Sequence, residues 1–135
     1  RDRGLSGAIL ISPANMGAEG GVTRDQATAM MADNMESLAG GTAQTFGDDL
    51  RSGAEARNWS HAVSGLARLP VLVLTSDDGL APGADSLVAA LRHAGDHRVT
   101  VVHEATDHSW SDRRIALESA VLRWLQELPV RSAAR

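Results

Sequence analysis

Two short polar loops hold the residues best suited to chemistry. The first reads Thr75-Ser76-Asp77-Asp78-Gly79-Leu80-Ala81-Pro82 and the second Ala105-Thr106-Asp107-His108-Ser109-Trp110-Ser111-Asp112. An aspartate beside a histidine is the pair used in general acid–base catalysis: the carboxylate fixes the tautomer of the imidazole, and the imidazole moves a proton between reactants. Asp78 and His108 are the candidates for these roles, with Asp77 a rival for the acid. Taken singly, each has a plain structural reading, because an aspartate before glycine often caps a turn and a loop histidine often only decorates a surface. Asp107, Ser109 and Asp112 read as loop polar groups or caps of the next helix.

Hydrophobic patterning indicates what would bring the two loops together. Gly7-Ala8-Ile9-Leu10-Ile11-Ser12 is a continuous apolar run ended by Pro13, the pattern of a strand buried on both faces. Val71-Leu72-Val73-Leu74-Thr75 repeats it after Pro70, and Val99-Thr100-Val101-Val102-His103 gives a third, β-branched run. Between the second and third, Ala84, Leu87, Val88, Leu91 and Ala94 recur at helical spacing, with Gly95 placed for a left-handed cap. Leu117, Val121, Trp124, Leu125 and Leu128 then share one helical face before Pro129. The prediction is an α/β fold with a mainly parallel sheet of about three strands, flanking helices and both polar loops beyond the strands' carboxyl ends.

Residues 22–66 have a different pattern, that of a helical insertion, with ordinary crossover packing and a lid as its two readings. Thr23-Arg24-Asp25-Gln26 is a capping box leading through Ala27, Met30, Met31, Asn34, Met35 and Leu38 to Gly40-Gly41. The methionine stripe reads as helix packing. A weaker pattern, Ala43, Phe46, Leu50 and Ala54, runs from about Thr42 to Arg57 and is loosened by Gly47 and Gly53. Residues 1–135 form a single domain in this reading, with the acid and histidine loops in 67–130.

Composition narrows the function classes. An apolar fraction of 43% and a charged fraction of 22% are ordinary for a globular chain, and no apolar run reaches the ~18 residues of a membrane span. A net charge of −4 with no basic patch argues against a nucleic-acid partner. No cysteine is present, so thiolate metal sites and cysteine nucleophiles are excluded, while the compartment stays open. His93 and His97, and likewise His103 and His108, lack a zinc-site spacing, so neither a metal nor another cofactor is expected. Trp59, in Asn58-Trp59-Ser60-His61, and Trp110, two residues after His108, are the candidates for contact with a substrate, against the plain reading of packed indoles.

The stretch from Pro70 to Pro82 resembles the acid loop of the α/β-hydrolase superfamily, and Asp107-His108-Ser109-Trp110 resembles its histidine loop. In that family the acid stands four residues before the proline, which selects Asp78, with Thr75 where glycine is more usual. Residues 7–13 are similar to the strand after the nucleophile's helix, and within the superfamily the chain looks most like dienelactone-hydrolase and prolyl-oligopeptidase-like serine hydrolases. The resemblance implies the C-terminal half of such a fold, hydrolysing a small-molecule ester, thioester or peptide substrate. It also implies a partner in the N-terminal half, which supplies the nucleophile and the oxyanion-hole amides.

A Gly-x-Ser-x-Gly elbow is absent from this sequence, and its nearest match, Gly4-Leu5-Ser6-Gly7-Ala8, precedes a strand instead of following one. The chain alone is therefore expected to be inactive, with an exposed edge at the 7–13 strand that favours aggregation or pairing. Alternatives are an aspartate-nucleophile hydrolase of dehalogenase or epoxide-hydrolase type and a non-catalytic α/β binding domain. A response-regulator-like domain ranks lowest, because the chain has no lysine.

Overall fold

The run that follows Pro70 can be apolar at every early position only if both its faces and both its edges are covered. In the computed structural model, which describes residues 5–37 and 39–128, all six residues of this strand are buried. It is β2, Val71–Ser76, and lies between β1, Ala8–Ile11, and β3, Val99–Glu104, in the order β1-β2-β3. Both pairings are parallel, with Ala8 opposite Val71, and Val71 opposite Val99. The chain is thus of the α/β class.

The remaining elements are α1 (Arg24–Ala32), α2 (Ala43–Ser52), α3 (Ser60–Leu66), α4 (Ala81–His93) and α5 (Arg114–Glu127), with short 3₁₀ turns at Ala18–Gly21, Met35–Ser37 and Glu55–Arg57. Two compact units result: residues 15–61, and the sheet unit formed by 1–14 with 62–135.

In the sheet unit, side-chain alternation divides β2 between two helices. Leu72 and Leu74 join Trp110, Ala120 and Trp124 in one cluster, with Leu117, Val121 and Leu128 of the α5 region against it. Val71 and Val73 face the other way, and α4 packs on β2 and β3 through its buried stripe of Ala84, Leu87, Val88 and Leu91. Helix α4 ends as the glycine predicts. Gly95 has φ +91°, its amide reaches Arg92 O at 3.0 Å and the Asp96 amide reaches Leu91 O at 3.0 Å, which together satisfy the helix's last carbonyls.

In the unit of residues 15–61, α1 begins with the expected capping box: Thr23 Oγ1 accepts from the Gln26 amide at 3.2 Å, and Gln26 Oε1 accepts from the Thr23 amide at 2.8 Å. Helices α1 and α2 approach closely at Gly47, where a Cβ would stand 2.9 Å from the Thr28 backbone nitrogen. Arg24 and Asp48 join them through a two-pronged exposed ion pair.

Several expectations are corrected. Helix α1 stops at Ala32, because the Asn34 side chain donates Nδ2–H to Met30 O at 2.8 Å and competes with helical continuation. Leu38 and Pro129 lie outside the described residues. Helix α2 ends at Ser52, capped by Gly53, and α3 was not anticipated. Strand β1 is not buried on both faces. It is an edge, and Ile11 is 47% exposed. Leu125 is also exposed, at 45%, because the sheet accepts only the narrower stripe of Leu117, Ala120, Val121, Trp124 and Leu128. No helix among the described residues is long and apolar enough to cross a membrane.

Leu72→Ala, which leaves a hole between β2 and α5, is predicted to lower the unfolding free energy by about 2–5 kcal/mol in urea titrations. Leu125→Ala should change it by no more than about 0.5 kcal/mol.

Candidate active site

Parallel pairing sends β2 and β3 out of the sheet at the same end, so the two polar loops emerge side by side. The Asp77 amide donates to Thr106 O at 3.1 Å and ties the loops together directly. The acid loop turns at Gly79, with φ +83°, while Asp78 Oδ1 accepts the Leu80 amide at 2.9 Å and closes an Asx turn just before α4. The histidine loop is organised by Asp107, whose carbonyl accepts the Trp110 amide at 3.0 Å and whose Oδ1 accepts the Ser111 amide at 2.9 Å. The Ser111 amide, then the Ser111 hydroxyl, hold the Asp107 carboxyl below the ordinary range.

These constraints bring Asp78 Oδ2 to 2.7 Å from His108 Nδ1, across 30 residues of sequence. The Asp78 side chain is 6% exposed and that of His108 63% exposed, so the carboxylate is set in the protein while the imidazole reaches out of it. The bond uses Nδ1 of the ring, and Nε2 makes no hydrogen bond among the described residues. Burial acts to raise the Asp78 titration point, but the Leu80 amide, the His108 ring and the Ser76 hydroxyl outweigh it. The carboxyl is therefore held below the ordinary aspartate range.

Asp77, the rival acid, points elsewhere. Its Oδ1 lies 3.2 Å from His103 Nε2, and His103 Nδ1 lies 2.9 Å from Thr75 Oγ1, directly opposite in the β2–β3 register. This second aspartate–histidine contact is half open to solvent. It has no local signature, because it depends on which residues of two strands stand opposite each other.

Trp110 is not the open wall expected from its place beside His108. At φ +56° it turns inward, is 1% exposed within the core cluster, and donates Nε1–H to Ser12 Oγ at 3.2 Å. Trp59 belongs to the unit of residues 15–61, where its amide donates to Asn15 Oδ1 at 3.3 Å. Asp112 accepts a hydrogen bond from the Thr106 hydroxyl and does not cap α5, whose first turn lacks a side-chain cap. Ser6 stands before the amino end of β1, roughly 15 Å of extended chain from the end where Asp78 and His108 lie. Ser12 is at the correct end, but its hydroxyl is buried between Trp110 and Ser76. Among the described residues, no three metal-ligating side chains converge.

Because the folded-state titration point of Asp78 is lowered, its contribution to stability is complete above the ordinary aspartate range and is lost as pH falls through the folded-state value. Asp78→Asn is therefore predicted to cost about 1–2 kcal/mol of unfolding free energy at pH 7 and distinctly less at pH 3 in urea titrations. Comparisons with known proteins identify no relative: no family model, no curated protein and no solved structure matches this chain.

Proposed function

We propose that this chain carries the acid and base of a serine hydrolase of the α/β-hydrolase type, with Asp78 as the acid and His108 as the base. The observation that supports the reading is the 2.7 Å contact between Asp78 Oδ2 and His108 Nδ1, made by loops at the carboxyl ends of adjacent parallel strands. A base of this kind needs one ring nitrogen held by a carboxylate and the other available to a reactant. His108 has that division of labour.

In the proposed cycle His108 Nε2 takes the proton of a serine hydroxyl as its oxygen attacks the acyl carbon of an ester, thioester or peptide. The same nitrogen returns the proton to the leaving group, and water then repeats the sequence to free the acid and the serine. Asp78 remains ionised throughout and stabilises the imidazolium that forms at each proton transfer. The serine is assigned to a segment outside residues 1–135, because these residues contain no Gly-x-Ser-x-Gly elbow, and Ser6 and Ser12 are respectively at the wrong end of the sheet and buried.

The test is fluorophosphonate labelling of the product of the full coding sequence. Labelling of one serine is expected, with hydrolysis falling by about 10⁴-fold in Asp78→Asn and at least as far in His108→Ala. Hydrolysis without labelling would favour an aspartate nucleophile, and full activity in His108→Ala would leave the pair with no catalytic role.

A further inference from the structure

Residues 105–113, which carry the chain from β3 to α5, contain two buried residues, Thr106 and Trp110, 8% and 1% exposed. They stand two positions either side of His108, whose own side chain is 63% exposed. An exposed ring on a loop keeps one orientation only if the backbone on both sides of it is fixed. Thr106 fixes one side: its carbonyl accepts the Asp77 amide at 3.1 Å, and its hydroxyl donates to Asp112. Trp110 fixes the other by a longer route. Its indole enters the cluster of Leu72, Leu74, Ala120 and Trp124, and its Nε1–H donates to Ser12 Oγ at 3.2 Å. Ser12 follows β1 and Trp110 follows β3, so this bond spans β2.

Both ends of that bond have a backbone conformation that the surroundings impose. Ser12, at φ +43°, and Trp110, at φ +56°, are the two non-glycine residues with positive φ among the described residues. Side chains rarely take this conformation unless several contacts demand it. For Trp110 the contacts are its amide on Asp107 O at 3.0 Å, its carbonyl under the Arg113 amide at 3.1 Å, and the buried ring. For Ser12 they are its amide on Leu74 O at 2.8 Å and its hydroxyl, 3.2 Å from Ser76 Oγ. Both residues are buried, so removing the Ser12 hydroxyl leaves the indole N–H with neither partner nor water.

We infer that Ser12 is a positioning residue for His108: its hydroxyl, by accepting the Trp110 indole N–H across β2, holds the far side of the histidine loop and keeps the imidazole on Asp78. Thr106 ties the loop to the acid loop and Trp110 ties it to the end of β1, so His108 is suspended between two anchors, and its 2.7 Å contact with Asp78 depends on both. Without the Trp110 anchor the ring spends part of its time away from Asp78, and Nδ1–H loses the carboxylate that keeps its proton there. Ser12 has no hydrogen bond to His108 among the described residues and acts through Trp110.

The inference rests on reading Asp78 and His108 as the acid–base pair, and the neutral His108 ring reports on both. Its two tautomers are resolved by ¹⁵N NMR in the full chain and in variants. Ser12→Gly suits the positive φ but removes the hydroxyl, and replacing the Trp110 indole by benzothiophene keeps the ring's shape but removes the N–H. Each should lower the ratio of Nδ1–H to Nε2–H by about threefold, the scale of one ordinary hydrogen bond, and the two together should lower it no further. Val88→Ala, which opens a hole under α4 on the other face of the sheet, should lower stability and leave the ratio unchanged. Unchanged ratios in the first two variants, losses that add when they are combined, or an equal loss in Val88→Ala would overturn the role of Ser12, while a wild-type proton on Nδ1 keeps the pair. A wild-type proton on Nε2 would overturn the pair itself. If Ser12→Gly does not fold, the benzothiophene variant decides alone.

Discussion

The arrangement depends on β2 being held between two parallel neighbours. Its six buried residues need backbone partners along both edges, and only a parallel layout delivers the ends of all three strands to one side of the sheet. Leu72 and Leu74 anchor α5 on one face while α4 covers the other. The polar groups that could do chemistry are thus concentrated where regular pairing stops. Ser12, Ser76, Asp78, His108 and Trp110 all lie at or beyond a strand's carboxyl end, so the hydrophobic packing of the sheet, in which Trp110 itself takes part, sets the distances between them.

A carboxylate almost withdrawn from water is costly unless its oxygens are occupied. Asp78 meets that requirement on both oxygens: the Leu80 amide bonds Oδ1 and the His108 ring bonds Oδ2. Asp77, one residue earlier, has an exposed side chain and a long contact with a half-exposed imidazole. Adjacent residues of the same type thereby acquire different capacities. The buried, fully bonded one can hold a ring in one orientation, and the exposed one cannot do so as firmly.

The three strands, the helix ending at Gly95 and the α5 stripe were legible because each rests on local rules of periodicity and capping. The loops holding Asp78 and His108 could be named from the same patterning. What could not be read depends on neighbours distant in sequence. Which histidine each of Asp77 and Asp78 meets depends on how the two loops are tied together at Thr106, and the Thr75–His103 contact on strand register. Trp110 looked like a pocket residue by position, yet its positive φ turns it into the core. Ser12 and Ser76 gave no signal at all, since a hydroxyl at a strand end has no pattern until the facing strand ends are known. Leu125 follows the helical period but falls off the edge of a three-stranded sheet.

The central claim is that Asp78 dictates the state of the His108 ring. The most direct measurement is the ¹⁵N spectrum of that imidazole in its neutral form, which shows which nitrogen carries the proton. The account predicts a proton on Nδ1, facing Asp78 Oδ2, and loss of that preference in Asp78→Asn. A neutral ring protonated on Nε2, unchanged by Asp78→Asn, would contradict it.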